Sequence, residues 1–460
     1  MRFCLGVCSL LLVTFGFSTY ASNIVAAAPN CVSQAEMLQI AQHFTQFRNL
    51  ANKGEYCFDG SHEAHLIAGL MFMRKDQFVN DMPNSPDDLF SGTFKSDWYQ
   101  YFIGRINDIS IQGSCPKGVG AYVYMFGNTM YVCPMLLSDS FTALDRASVM
   151  MHEARHIDGF PHMTCTRGPR QGLQGACDNR MSDRGSYGVT VETYAQIAAY
   201  SEDIHPAMRA YARSSAVVYA DEAFEAPVRV NRQSQLMLLT TQGEFHTLNL
   251  TNGVKTTELG RAPAQGRISM RAHHMILYPD DKTLPAKYVF ARNEGDLPQA
   301  AGDIAVEYNG LTPQLRAEWV DVHIGAQWSA RVLKSKVKVG CDPRSDSTTE
   351  LMTSGETPAS LIYPNGYDRS LKTAHVAMQS GKVYELGCES GGRAFLRASS
   401  LILDQRYKRI QKAGSDIVGL TQDGRLFKIT GSTSIPLQTS LDGRVYEIAP
   451  NVSTDFFGGN

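Results

Sequence analysis

The sequence has no C-x-x-C pair, no block of like charges, no low-complexity tract and, beyond its first residues, no apolar run long enough to cross a bilayer. Each absence removes a class of function. Without a C-x-x-C pair, a cysteine-ligated zinc site of the finger or ribbon type has no ligand frame. A net charge of −2 leaves no electrostatic footprint for nucleic acid or an anionic membrane. Charged residues are only 19% of the chain, below the usual quarter or so, and hydrophobic residues are 43%, so the chain folds around a core rather than remaining solvated.

The first residues differ from the rest. Arg2 supplies a positive start, Leu5 to Phe17 is apolar but short for a span, and the small residues Thr19, Ala21 and Ala26-Ala27-Ala28 follow. This predicts a signal peptide over residues 1–28 and a soluble product, secreted or periplasmic. Cysteine usage agrees. Cys4 and Cys8 fall in the leader, and eight remain: Cys31, Cys57, Cys115, Cys133, Cys165, Cys177, Cys341 and Cys388. An even count in an exported chain implies four disulfides. Pairing nearest neighbours gives 31–57, 115–133, 165–177 and 341–388.

The most informative stretch runs from His152 to His162 and reads H-E-x-x-H-x-x-G-x-x-H. On a helix, His152 and His156 share one face and can reach one divalent metal ion, for which this chemistry suits zinc. Glu153 is turned about 100° around the helix, beside the metal, where it can take a proton from an attacking water. Gly159 permits a sharp turn, after which His162 can return as the third ligand. Asp178, Asp183 and Glu192 are the other candidates for that third position. Tyr187 or Tyr194 can supply a phenol to the developing oxyanion. Arg155 and Asp158 are either groups that orient the ligands or a surface ion pair.

These residues resemble the extended signature of the metzincins, within the zincin metallopeptidases. That resemblance implies His152, His156 and His162 as zinc ligands and Glu153 as general base. A metzincin also has a methionine turn below the metal, usually with a tyrosine two residues on. Met181 is the candidate methionine, but Asp183 holds the second position. Cys133-Pro134, Asp183 with Tyr187-Gly188, and Glu192-Thr193-Tyr194-Ala195 more weakly resemble the aspzincin, or deuterolysin-like, peptidases. These imply an aspartate as third ligand and a nearby tyrosine on the transition state.

A mature chain of about 430 residues predicts two or more domains. Residues 29–227 read as an α+β zincin-like metallopeptidase domain. Met37, Ile40, Ala41 and Phe44 predict one amphipathic helix over residues 33–52, and Glu63 to Met73 another. Ala121 to Phe126 and Thr129 to Val132, around Gly127-Asn128, predict a hairpin. Its place just before the motif suits an edge strand that an extended peptide can join. The metal helix is expected to start near Ser140 and end at Gly159, with Ala147, Met150, Met151 and Ala154 as its apolar side. Arg167 and Arg170 lie in the loop between Cys165 and Cys177, either solvated or facing an anionic substrate group. Helices are expected from Val189 to Tyr200 and from Pro206 to Phe224.

Residues 228–460 change to strand periodicity and repeat. Strand, turn with glycine, strand recurs around Gly243, Gly381, Gly424 and Gly443. Gly381 and Gly424 are 43 apart, and Gly243 and Gly381 are 138 apart, close to three such periods. That spacing predicts a β-propeller of about five blades, with the hairpin around Gly443 as half a blade. The functional expectation is an exported zinc metallopeptidase acting on a protein or peptide, with a possible partner on the β domain. The alternatives are a zinc hydrolase acting on a non-protein amide such as a cell-wall peptide link, and a binding protein that works through its propeller.

Overall fold

The computed structural model describes residues 31–75, 97–116, 119–138, 141–168, 170–200, 206–228, 230–251, 253–271, 274–288, 299–300, 308–324, 328–341, 347–362 and 373–457. The expected signal peptide and Ser140 lie outside these residues.

Up to residue 228 the described chain is mainly helical. Its helices are α1 (Gln34–His43), α2 (Arg48–Ala51), α3 (His62–Lys75), α4 (Trp98–Ile103), α5 (Ala143–Ile157), α6 (Ser186–Tyr200) and α7 (Pro206–Glu222). The strands are β1 (Cys31–Val32) paired with β2 (Tyr56–Cys57), and β3 (Asp108–Ile111), β4 (Ala121–Val123) and β5 (Thr129–Val132) in the order β3-β5-β4. Ser33 caps α1, with Glu36 accepting back from the Ser33 amide at 3.0 Å. The single helix expected over 33–52 is broken at Phe44, whose backbone is extended (φ −101°, ψ 90°). Its ring is fully buried and packs against Phe47 and Phe102, so tertiary contact overrides local periodicity.

Helix α5 starts later than expected, because Thr142 rather than Ser140 is its cap. Thr142 Oγ1 accepts from the Asp145 amide at 3.0 Å, and Asp145 accepts from the Thr142 amide at 2.8 Å. Ala147, Met150, Met151 and Ala154 are all fully buried, as their spacing requires. Helices α3, α4 and α6 and strand β4 pack around α5. A Cβ added at Gly69 of α3 would lie 2.9 Å from Arg146 Cβ, so glycine lets α3 approach α5 closely.

After residue 230 the described chain is nearly all strand. Strands β6 (Val230–Thr240), β7 (Glu244–Asn249) and β8 (Lys255–Arg261) come first. The next sheet is β9 (Gly266–Arg271), β10 (His274–Pro279), β11 (Lys287–Tyr288) and β12 (Gln299–Ala300). Then come β13 (Trp319–Ile324), β14 (Ser329–Leu333), β15 (Lys336–Gly340) and β16 (Thr349–Met352), followed by β17 (Pro358–Ile362), β18 (Thr373–Met378), β19 (Val383–Cys388) and β20 (Ala394–Ala398). The last are β21 (Arg409–Ala413), β22 (Asp416–Leu420), β23 (Leu426–Thr430), β24 (Thr433–Pro436) and β25 (Val445–Phe457). Each sheet is a four-stranded antiparallel meander except one, in which β25 pairs with β6 to give β25-β6-β7-β8. The leading strands β9, β13, β17, β21 and β25 touch in a closed ring. That is the strand order of a β-propeller with five blades.

Gly243, Gly381 and Gly424 occupy one place in three blades, the turn between second and third strands, each with positive φ (78°, 95° and 79°). The segment around Gly443 is not half a blade. Its glycine lies in the turn leading into β25, which pairs with β6 far back in sequence. The axis is filled by paired charges. Buried Arg409 Nε donates to Glu447 at 3.0 and 3.1 Å, and buried Asp321 accepts from Arg267 and from the Leu361 amide.

Four disulfides join the neighbouring cysteines: Cys31–Cys57, Cys115–Cys133, Cys165–Cys177 and Cys341–Cys388. The last ties the second complete sheet to the third. This density fits an oxidising compartment. Helix α7 lies against β25, where Ser214 Oγ donates to Asn451 Oδ1 at 3.0 Å. No described helix is long and apolar enough to cross a membrane.

Candidate metal centre

Helix α5 carries His152 and His156 one turn apart, and Glu153 faces the protein interior. The chain leaves the helix at Asp158 and turns at Gly159 (φ 90°). That turn is clamped. Asp158 accepts from Tyr101 Oη (3.0 Å), Arg105 Nε (2.8 Å) and Arg155 Nη1 (3.0 Å). Arg155 also donates to the Arg184 carbonyl at 2.7 Å and lies over the Phe160 ring. Asp158 and Arg155 therefore hold the turn that brings His162 back to the helix.

The three imidazoles meet. His162 Nε2 lies 2.9 Å from His152 Nε2 and 3.1 Å from His156 Nε2. Four-coordinate zinc with nitrogens at about 2.0–2.1 Å puts those nitrogens roughly 3.3 Å apart, so the spacing is close to what one ion needs. The outer nitrogens fix where the protons are. His156 Nδ1 lies 2.5 Å from the Phe160 carbonyl, which can only accept. His162 Nδ1 lies 2.8 Å from Asp178 Oδ1, a carboxylate oxygen. Asp178 is held by the amides of Tyr187 (2.8 Å) and Gly188 (3.3 Å). His152 Nδ1 lies 2.9 Å from Thr190 Oγ1, whose own proton goes to the Ser186 carbonyl at 3.2 Å. Each Nδ1 is thus the donor, and each Nε2 is bare. Three lone pairs face one point with no proton to share between them. Burial, and then the neighbouring imidazoles, favour the neutral form of two rings: His152 is pushed well below the usual histidine range and His156 down to about 4. Convergent, oriented imidazoles suit a divalent cation of zinc type.

Glu153 is buried, and among the described residues no hydrogen bond or ion pair compensates that burial. Loss of hydration alone pushes its carboxyl up to about 8. Tyr187 stacks on His162 (4.3 Å, 27°) and meets His152 edge-on (4.9 Å). Tyr194 is elsewhere: its hydroxyl donates to Asp145 at 2.6 Å, near the far end of α5, so it is not the phenol of this site.

Of the other carboxylates, Asp178 partners His162. Asp183 accepts from the Arg180 amide at 3.1 Å in a 3-10 turn (Met181–Asp183), and Glu192 accepts from Gln196 at 3.1 Å. Neither Asp183 nor Glu192 belongs to the imidazole cluster among the described residues. Met181 is buried at the head of that turn. Sequence reasoning missed Ser186 and Thr190. The available signal was two hydroxyl residues four apart at the start of a helix that packs on α5. Strand β4 is an edge of its sheet and packs on α5, but it ends at Val123 rather than Phe126. Tyr124 to Asn128 form the turn, with the Gly127 amide bonded to the Tyr124 carbonyl at 2.8 Å. Phe126, 82% exposed, comes within reach of Gly159.

No family model matches the sequence, and no curated protein matches it. Among solved structures the chain is similar to Hsv2 of Kluyveromyces lactis, at 13% identity and a TM-score of 0.23, covering 45% of this chain and 58% of that one. It is also similar to Prp20p of Saccharomyces cerevisiae, at 9% identity and a TM-score of 0.22 over 49% and 67% of the two chains. Apo AztD of Citrobacter koseri gives 11% identity and a TM-score of 0.22 over 47% and 56%. The chain thus spans about three fifths of the Hsv2 structure. Likeness this slight carries no functional information.

Proposed function

We propose that the protein is an exported zinc-dependent metallopeptidase. The observation that supports this most is the meeting of three bare imidazole nitrogens beside a buried, uncompensated carboxylate. His152, His156 and His162 hold the ion. Asp178, Thr190 and the Phe160 carbonyl fix the tautomer and aim of each ring. Zinc, when bound, acts as a Lewis acid toward the carbonyl and the attacking water. Glu153 accepts the proton of that water and passes it to the leaving amine. To accept that proton the carboxyl must be ionised; burial raises its pKa in the metal-free chain, and a cation held by the three histidines would favour the ionised form. Tyr187 offers a phenol beside the cluster to the developing oxyanion. The free edge of β4 takes an extended peptide as a further strand. The same chemistry serves a non-protein amide, and the propeller offers a surface for a partner.

Protein purified without chelator should carry about one zinc per chain by elemental analysis, and His152→Ala should carry none. Glu153→Gln should retain the zinc and lose hydrolysis of labelled casein by about 10²–10⁴-fold. Zinc-free native protein defeats the metal centre. Unchanged hydrolysis in Glu153→Gln defeats the assignment of the base.

A further inference from the structure

We infer that Arg170 is a positioning residue of this site, acting through Tyr187 to aim the phenol at the substrate carbonyl oxygen. The inference rests on the metallopeptidase reading and deepens it.

Arg170 belongs to a loop whose ends are joined by Cys165–Cys177 and whose backbone closes through Gly172 N to Cys165 O at 2.8 Å. A loop arginine normally remains in water, where its charge is solvated. Arg167 in the same loop is exposed. Arg170 instead turns inward, with only 19% of its side chain exposed. The guanidinium lies 4.9 Å from the centre of the Tyr187 ring and 5.5 Å from that of Tyr219. Its Nη1 donates to the Ala176 carbonyl at 3.1 Å, and its Nε faces Glu222 at 3.6 Å. These contacts offset the lost hydration and fix the fork in one orientation.

The same ring that the guanidinium covers is stacked on His162 at 4.3 Å and meets His152 edge-on at 4.9 Å. Held between the cation and the imidazoles, it keeps one orientation, and its phenol stays beside the cluster. Charge developing on the carbonyl oxygen then meets a donor already oriented. Arg170 transfers no proton and touches no reacting atom.

The test uses the full-length, zinc-loaded protein and a phosphonamidate peptide, a stable mimic of the tetrahedral species, with affinity measured by calorimetry. Tyr187→Phe and Arg170→Ala should each weaken phosphonamidate binding by about 10–100-fold without changing zinc content, somewhat less than loss of a direct oxyanion donor can cost. Arg170→Ala added to Tyr187→Phe should weaken it no further, because the two act as one unit. Arg170→Lys should recover part of the affinity. Equal losses from Arg170→Ala with and without the phenol would overturn the inference while leaving the zinc site intact. So would full affinity in Arg170→Ala. If Arg170→Ala fails to fold, Arg170→Gln, which keeps an amide donor for the Ala176 carbonyl but no charge, takes its place. Failure of both to fold would make the residue a structural staple and overturn the inference. Native zinc protein that does not bind the phosphonamidate at all would overturn the underlying function as well.

Discussion

Helix α5 carries two buried carboxylates, eight residues apart, in opposite circumstances. Asp145, in the first turn, is saturated. Its Oδ1 accepts from the hydroxyls of Tyr194 (2.6 Å) and Tyr211 (2.7 Å), and its Oδ2 from the amide and hydroxyl of Thr142 (2.8 Å each). Glu153, two turns on, has no such donor among the described residues and stands beside three lone pairs that share no proton. The propeller axis follows the Asp145 pattern, with Asp321 and Glu447 answered by Arg267 and Arg409. Buried polarity that is answered within the chain holds the fold together. Buried polarity that is not answered costs stability, and here it surrounds one point suited to a cation.

The comparison can be broken by substituting each carboxylate. Asp145→Ala should cost about 3–5 kcal/mol by urea unfolding, because it leaves two tyrosine hydroxyls and a helix cap without their acceptor. A loss under about 1 kcal/mol would mean that the network is incidental.

Glu153→Gln should do the opposite in chelator-stripped protein. Burial raises the folded-state carboxyl to about 8 from its ordinary 4.5, so the folded chain holds a proton that the unfolded chain releases. The resulting penalty is absent below the unfolded value, grows as pH rises above it, and levels off above the folded value. Glu153→Gln should therefore be more stable than the native protein by roughly 3 kcal/mol at pH 7, and nearly equal to it near pH 4. A pH-independent difference would contradict the burial argument. The smallest effect is expected from Asp178→Asn, which keeps the shape but removes the charge behind His162. Zinc affinity, measured by chelator competition, should fall by about 10–100-fold. No change would mean that the carboxylate only anchors the start of α6.

The meeting of the imidazoles was legible because one helical period and one glycine turn decide it. The propeller was legible because its turn glycines need positive φ and recur at the same place in three of the blades, at multiples of one period. The groups that fix the tautomers were not. Thr190 and Asp178 come from segments 38 and 16 residues from their histidines, beyond any local period. Asp178 is read from sequence as a rival ligand, since an aspartate that binds a metal and one that orients a histidine look alike there. Sequence offers Tyr187 first and Tyr194 beside it as the phenol. Only the packing of α6 and α7 on α5 sends Tyr194 to Asp145. The break at Phe44 and the pairing of β25 with β6 depend on partners distant in sequence, which no local pattern carries.

That last pairing sets an order of events. Strand β25 follows every other described strand in the sequence, yet it supplies the inner strand of the blade that β6 begins. Asn451 on β25 bonds to Gln235, a separation of 216 residues, and to Ser214 of α7. A chain made N-terminus first has its histidines and all its cysteines long before this strand exists. Until β25 arrives, one side of β6 is an open hydrogen-bonding edge and the largest of the contacts between α7 and the ring is missing. One late pairing therefore completes the ring and adds most of its contact with α7, and a chain stopped short of it presents a sticky edge to its neighbours.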